Sequence, residues 1–514
     1  MKTRIAVPAV LILAVILACP TFLAAQASRS ASAGCAPNGN RFNLEPLANA
    51  VGQFNETVAV LPNRGGNGVD LVVGTALDDR SLPPIGFLGF PADAFYVQRD
   101  NSNCAADFEG EFPPVFSGPK GLRFDVFGAP VVVADPVHDA FFAADLRFST
   151  GPDNNAVGVL KSTAATLLDA TKCPNGTLQD PTPCWPTTQI VNKLSIFKNP
   201  LMLNPAIAVD QRTSGTGAGD VYVAMTQTDV NANSTISLVA CTNSALVCGG
   251  TTTVTGSDKQ AGFASLQVRA DGGITISYVE NTSLRGTIDI KFVNCAPAGA
   301  PNPPTCSAPV KVISEAQPMQ VTLPGDEQVL DETYPRHVDR VESDGKTVTT
   351  FLVYDRCEVP VEFGEQGLVD DFCPKTDVDV LSSTDGGNTW STLQKVSNSA
   401  GQQFLGALAF DASTSTVNIA YYSTEKDGLK LQTQVFLAQI LPGQTTVSPP
   451  KQITSAFYDG GLSSDTPYIG IAAAGTGTAG QSHAYIHVTG SVVQGTYDGL
   501  PFPVNNNILT RFQY

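Results

Sequence analysis

A unit of two short strands joined by a polar turn recurs seven times along the chain. The units begin at Thr57, Pro130, Pro205, Ala264, Pro335, Gly406 and Pro467, at intervals of roughly 60 to 75 residues. Stretches such as PVVVADPVHDAFFAADL from Pro130 and GALAFDASTSTVNIAYYSTE from Gly406 pair an apolar run, a turn of small or charged residues and a second apolar run. Between these units lies a second kind of hairpin, so each repeat supplies four strands. Seven such repeats are what a closed ring of four-stranded blades requires. The expectation is an all-β chain forming a β-propeller, seven-bladed with six as the alternative count, over residues 51–514. Two stacked sandwiches also have short, evenly spaced strands, but a period sustained to the end of the chain favours the ring. Composition agrees: only 15% of the 514 residues are charged, Gly (46) and Pro (36) are plentiful, and no amphipathic helical pattern stands out.

The second hairpins carry most of the cysteines. Cys173 and Cys184, Cys241 and Cys248, Cys295 and Cys306, and Cys357 and Cys373 are close neighbours in sequence, and a disulfide closing each short loop is expected in an oxidising compartment; Cys35 with Cys104 remains by elimination. Irregular spacing and scarce histidine argue against a metal site, and no metal or cofactor is expected. In the fifth repeat the corresponding stretch is DVDVLSSTDGGNTWSTLQKV, and its Ser383 and Trp390 are seven residues apart, as are Cys241 and Cys248. Asp385 can bond amides within its own turn, Gly387 and its neighbour supply positive-φ positions, and Trp390 can fold back over the turn. Disulfides therefore stand where this turn would be in the neighbouring repeats. AFYVQRDNSNC, ending at Cys104, reads as a degenerate form that keeps Asp100.

The stretch Ser383 to Trp390 resembles the Asp box, SxDxGxTW, of the bacterial neuraminidase repeat found in sialidases and other β-propellers. The resemblance implies the propeller fold with the box in the turn between the third and fourth strands of a blade, on the face away from the binding mouth. Sialidases use an arginine triad on the sialic acid carboxylate, a tyrosine nucleophile activated by a glutamate, and an aspartate acid/base, and they carry an Arg-Ile-Pro signature. That signature is absent here, so no catalytic residue is carried over.

The face opposite the box collects the ends of the second strands, and these are charged. Asp79 with Arg80, Asp145 with Arg147, Glu280, Asp355 with Arg356, and the nearby Tyr334 and Arg336 are the candidate ligand-binding residues. Carboxylates beside arginines can hold an anionic or sugar-like ligand or serve as general acid and base; solvated loop bridges are the plainer use of the same residues. The loops 81–93 and 357–375 are long enough to carry recognition. The four histidines are expected to be satisfied within the packing.

At the N-terminus, Lys2 and Arg4 precede an apolar run, and Ala25-Gln26-Ala27 offers a cleavage site, so residues 1–27 read as a signal peptide and 28–50 as a linker held by Cys35. Cys19 is the alternative, as a lipid-tethered N-terminus. No other run is long enough to span a bilayer. A net charge of −17 argues against nucleic acid as partner. The reading is a secreted, periplasmic or cell-surface binding module for a glycan or extracellular polymer, with an exo-sialidase-like glycoside hydrolase as the alternative. NNNILTRFQY, at the C-terminus, is expected to supply a closing strand.

Overall fold

The computed structural model describes residues 39–43, 53–66, 68–78, 92–100, 107–117, 121–149, 155–173, 183–194, 201–281, 287–316, 321–323, 327–329, 334–358, 375–426, 433–454, 469–475, 481–497 and 500–514. Among them, seven antiparallel sheets form seven blades of four strands, as the repeat predicts. Their inner strands are Gln53–Leu61, Leu122–Asp135, Leu201–Val209, Ala261–Val268, Arg336–Val341, Gln403–Asp411 and Ile469–Ala474. In blades one to six the strands after the inner one follow outward in chain order, and in the second blade Val115–Ser117 also pairs with the inner strand. Among the described residues no helix is long and apolar enough to cross a membrane.

The seventh blade differs from expectation. Its inner strand pairs with His483–Tyr497 and that with Leu500–Gln513, so the C-terminal segment is the third strand. The outer strand is Gly39–Asn43, which pairs antiparallel with Ile508 to Arg511. Part of the stretch read as a linker is therefore the strand that closes the ring. Nothing in local sequence announces this, because the pairing joins the two ends of the chain.

Successive residues of a strand point to opposite faces, and here both faces are buried. Val58 and Val60 pack toward the seventh blade, while Ala59 and Leu61 pack toward the second. In the second blade, Phe141 and Ala143 face the first blade, and Phe142 and Ala144 face the third. Among the described residues the core falls into eight clusters: one between each adjacent pair of blades, and a small eighth of Val115, Phe124, Ala156 and Ile190 within the second blade.

The turns after the third strands sit where the cysteine spacing places them. Cys173–Cys184, Cys241–Cys248 and Cys295–Cys306 are disulfides in the second, third and fourth blades. Cys357 is disulfide-bonded as well; its expected partner Cys373, and the pair Cys35 and Cys104, lie outside the described residues. In the fifth blade the Ser383 hydroxyl accepts from the Gly387 N–H (2.9 Å), Asp385 accepts from the Thr389 hydroxyl (2.6 Å) and N–H (2.9 Å), and the Trp390 indole N–H donates to the Gly387 carbonyl (3.0 Å). The Thr389 and Ser383 bonds hold the Asp385 carboxyl down to about 2.

These turns also lean on the preceding blade. Trp390 meets Phe292 of the fourth blade edge to face at 5.3 Å. Gly387 (φ 85°) is where a Cβ would fall 2.3 Å from the Phe292 ring, and the Asn294 amide donates to the Gly386 carbonyl at 2.7 Å. Lys161 of the second blade holds Asn243 of the third, and Arg340 of the fifth donates to the Leu441 (3.1 Å) and Gln444 (2.8 Å) carbonyls of the sixth. Trp185, beside Cys184, does for the second blade what Trp390 does for the fifth: fully buried, it packs edge-on against Phe95 (5.4 Å) and Phe112 (5.1 Å) of the first. The two tryptophans of the chain are thus both interblade plugs.

Trp185→Ala is expected to cost roughly 3–5 kcal/mol, the range for emptying a fully buried aromatic site. Trp390→Ala, half-buried, is expected to cost less. Denaturant midpoints of the two variants check the order.

Candidate functional site

The inner strands start on the face opposite the disulfide turns, and there they surround a central cavity of about 230 Å³. All seven blades contribute to its wall, through residues that include Thr57, Pro130, Asn204, Ser265, Arg336, Leu408 and Ile469. Five inner strands are bulged as they enter it, with register shifts between Phe54 and Thr57, Gly128 and Val131, Leu203 and Ala206, Gly262 and Ser265, and Phe404 and Ala407. Four of the bulges hold a non-glycine residue at positive φ: Ala129 (56°), Asn204 (48°), Phe263 (56°) and Leu405 (55°). A side chain there is sterically uncomfortable, and bulges of this kind re-aim a strand.

Polar groups on second strands of preceding blades grip the entering strands. The Thr75 hydroxyl donates to the Pro130 carbonyl (3.4 Å) and that of Ser277 to the Pro335 carbonyl (3.1 Å). Asp355 accepts from the N–H groups of Leu405 (2.9 Å) and Gly406 (3.2 Å). His487 of the seventh blade donates from Nδ1 to the Thr57 carbonyl of the first (3.0 Å). Buried backbone groups displaced by a bulge need such partners, and the clamps fix the cavity wall.

Two of the sequence candidates converge in this mouth. Arg336, on the fifth blade, reaches across it and donates from Nη1 to the Ile469 carbonyl of the seventh. Its guanidinium carbon lies 5.0 Å from the centre of the Tyr334 ring. Tyr334 in turn donates to the Ala264 carbonyl (3.0 Å) and meets Phe263 edge to face at 5.7 Å. Burial raises the Tyr334 phenol above its usual pKa, against the pull of Arg336. Among the described residues, no carboxylate lines the cavity or lies within ion-pair distance of Arg336.

The other described candidates are engaged elsewhere. Asp145 and Arg147 are fully buried within the second blade, paired through one guanidinium edge (Nε to Oδ1 2.5 Å, Nη2 to Oδ2), with Nη1 of Arg147 donating to the Pro113 carbonyl (2.8 Å). Burial pushes the Asp145 carboxyl up while Arg147 pulls it back. As residues i and i+2 they share one face of their strand, and that face turns inward. Asp355 is the buried bulge clamp. Glu280 pairs with Lys291 at 3.0 Å, and Arg356 donates to Asp379. Asp79, Arg80 and most of the two long loops lie outside the described residues.

Of the histidines, His337 is buried between the hydroxyls of Ser277 (2.8 Å) and Thr275 (3.0 Å), and His138 lies 2.7 Å from Asp135. On the turn face of the ring seam, Asp70 and Asp100 of the first blade meet His483, Tyr485 and Arg511 of the seventh. The Tyr485 hydroxyl lies 2.8 Å from Asp70 and 2.7 Å from Asp100. This latch joins blades and was not legible from residue spacing.

No protein-family model matches the chain, and no curated protein sequence matches it. Among solved structures it is similar to a polysaccharide lyase, with 13% identity and a TM-score of 0.42, over 86% of this chain and 88% of that one. It is also similar to a Hadza microbial sialidase, with 10% identity and a TM-score of 0.40, over 87% of this chain and 77% of that one. An N-acetylgalactosamine deacetylase from F. plautii, in complex with blood group B trisaccharide, matches with 10% identity and a TM-score of 0.35, over 94% and 95%. At these scores the likeness carries no argument about the site.

Two substitutions separate structure from site. Removing the guanidinium in Arg147→Ala leaves Asp145 buried without its counter-charge and is expected to cost about 3–5 kcal/mol, read as a fall in the denaturation midpoint. Burial holds the His337 imidazole at about 4, with Asp339 opposing. A base whose pKa is lowered on folding gives its full stabilisation above about 6.5 and loses it as pH falls toward 4. His337→Gln is therefore expected to shrink the stability difference between pH 7 and pH 4.5 by roughly 2–3 kcal/mol, measured by denaturant titration at the two values.

Proposed function

We propose that this chain is an exported binding module of the sialidase-like propeller type, and that its central mouth takes an acidic group of an extracellular glycan or polymer. The observation that carries the reading is Arg336, a guanidinium braced by Tyr334 and Ile469 in a largely apolar cavity without a carboxylate to answer it among the described residues. A partly desolvated cation is costly unless paired, and a carboxylate presented in the guanidinium plane pairs best. Ser383 to Trp390 serve as a structural Asp box. Disulfides suit an oxidising compartment, which agrees with residues 1–27 as an export signal or Cys19 as a tether.

The net charge of −17 narrows the ligand. A densely charged polyanion, nucleic acid included, feels the whole field and is repelled, whereas one carboxylate inside the mouth feels mainly Arg336, because exposed charges beyond about 8 Å are screened at physiological salt. The reading is therefore a polymer bearing isolated acidic sugars. Glycosidic cleavage by the common two-carboxylate route needs a pair roughly 5 to 10 Å apart, and a tyrosine nucleophile needs a carboxylate to activate it; among the described residues the mouth has no carboxylate.

The test is binding of the purified chain to an array holding sialylated, uronate-terminated, neutral and heavily sulfated glycans. Binding is expected on the first two, and Arg336→Ala is expected to weaken it roughly 10- to 100-fold, the equivalent of a lost charge-assisted contact of about 1.5–3 kcal/mol. Binding indifferent to Arg336→Ala refutes the assignment, and turnover of a sialoside that the substitution abolishes replaces binding with catalysis.

A further inference from the structure

We propose that His487 is a positioning residue for the mouth, which sets the Thr57 wall only while its imidazole is neutral and so makes the site acid-sensitive at the seam between the seventh and first blades. This rests on the binding reading of the central cavity. His487 lies in the second strand of the last blade, paired with Gly470 on one side and Leu509 on the other. Its ring is fully buried and points into the first blade. Nδ1 donates to the Thr57 carbonyl at 3.0 Å, at the point where that inner strand shifts register into the cavity wall. The strand opposite makes room with Gly74, where a Cβ would fall 3.2 Å from the imidazole.

The Nδ1 bond assigns the proton to that nitrogen and leaves Nε2 with its lone pair. Nε2 is buried and has no hydrogen-bond partner among the described residues. A second proton there would create a cation against an interface built from Val58, Val60, Val72, Ala76, Ala94 and Leu509. Tyr96, edge-on at 6.4 Å, is the titratable side chain of the first blade that faces the ring. Among the described residues of its own blade no charged group faces it; the seam's carboxylates and guanidinium gather around His483, four residues along. The other gripping groups of the ring, Thr75, Ser277 and Asp355, include no base that gains a charge on acidification. Burial accordingly drives the His487 pKa down to about 4, with the Thr57 bond opposing. The neutral form alone fits, and protons compete with the closed seam as pH falls below about 6.5.

Amide hydrogen exchange on the full, unliganded chain tests this at pH 7 and pH 4.5. In the wild type, exchange in segments 57–61 and 469–474, corrected for the intrinsic pH effect, is expected to accelerate at least tenfold on acidification. In His487→Gln, whose amide can still donate to Thr57 but cannot titrate, this acceleration is expected to vanish, while His337→Gln is expected to keep it. The same acceleration in wild type and His487→Gln overturns the proposal. Should His487→Gln fail to fold, the imidazole carbon-bound proton of His487, one of four histidines, decides by NMR: a titration midpoint near 6.5 overturns the proposal, and a midpoint below about 5 supports it. With α2-3-sialyllactose as probe, affinity is expected to fall more steeply toward pH 4.5 in the wild type than in His487→Gln. Absence of sialyllactose binding at pH 7 counts against the ligand reading alone, because the exchange and titration results stand without ligand. Binding with equal pH slopes in both proteins counts against the role of His487.

Discussion

Every blade of this ring is apolar on both faces, so no blade can bury its own surface without two neighbours. The alternation of Val58 and Val60 with Ala59 and Leu61 divides one strand between two cores, and the same division runs through all seven sheets. A linear stack would leave two apolar faces in water; only closure satisfies them. The critical contact is therefore the one the chain makes last, between the seventh blade and the first. The buried patch there is made largely of valine and alanine, small side chains that remove less area from water than the aromatics between the first two blades. What those residues lack in bulk is supplied by pairing, through Gly39–Asn43 on the outer edge and by the Asp70, Asp100, His483, Tyr485 and Arg511 latch on the turn face.

The two faces of the ring divide the work. On the turn face, disulfides and the Ser383 turn hold hairpins, and the turns of the second, third, fourth, fifth and sixth blades lean on the blade before, through Trp185, Asn243, the Ala300 amide on Asp220, Trp390 and the carbonyls that Arg340 reaches. On the mouth face five inner strands enter through bulges, four of them with a residue at positive φ, and one or two hydrogen bonds from the preceding blade grip the entering strands of the first, second, fifth and sixth blades. Strained backbone survives only where the surroundings over-determine it. The rigid turn face is what allows the mouth to keep a shape that its own residues do not favour.

How much of this the sequence discloses depends on distance along the chain. Repeats, turns and the staples at Cys241–Cys248 or Cys295–Cys306 are local, and the spacing of residues suffices. Trp185 occupies the position of Trp390 without the serine, aspartate and glycines that would label it, so its role appears only once the blades are side by side. Gly39–Asn43 is invisible for the same reason, its partner lying at the other end of the chain. The charged residues at strand ends show a different limit. Composition identifies them but not the direction they face, and Asp145 with Arg147 turns inward whereas Arg336 turns into the mouth.

That difference in direction also bears on chemistry. The described carboxylates nearest the second-strand ends that pair with other groups are Asp145 with Arg147, Glu280 with Lys291, Asp355 with the amides of the sixth blade, and Asp379 with Arg356. Each is held by its partner, and none of them lines the central cavity. Arg336 is the exception, its charge braced by a carbonyl and an aromatic face, neither of which cancels it. With those carboxylates held by other partners, Arg336 is the cation of the described cavity wall, and it is the charge that the proposed acidic ligand requires.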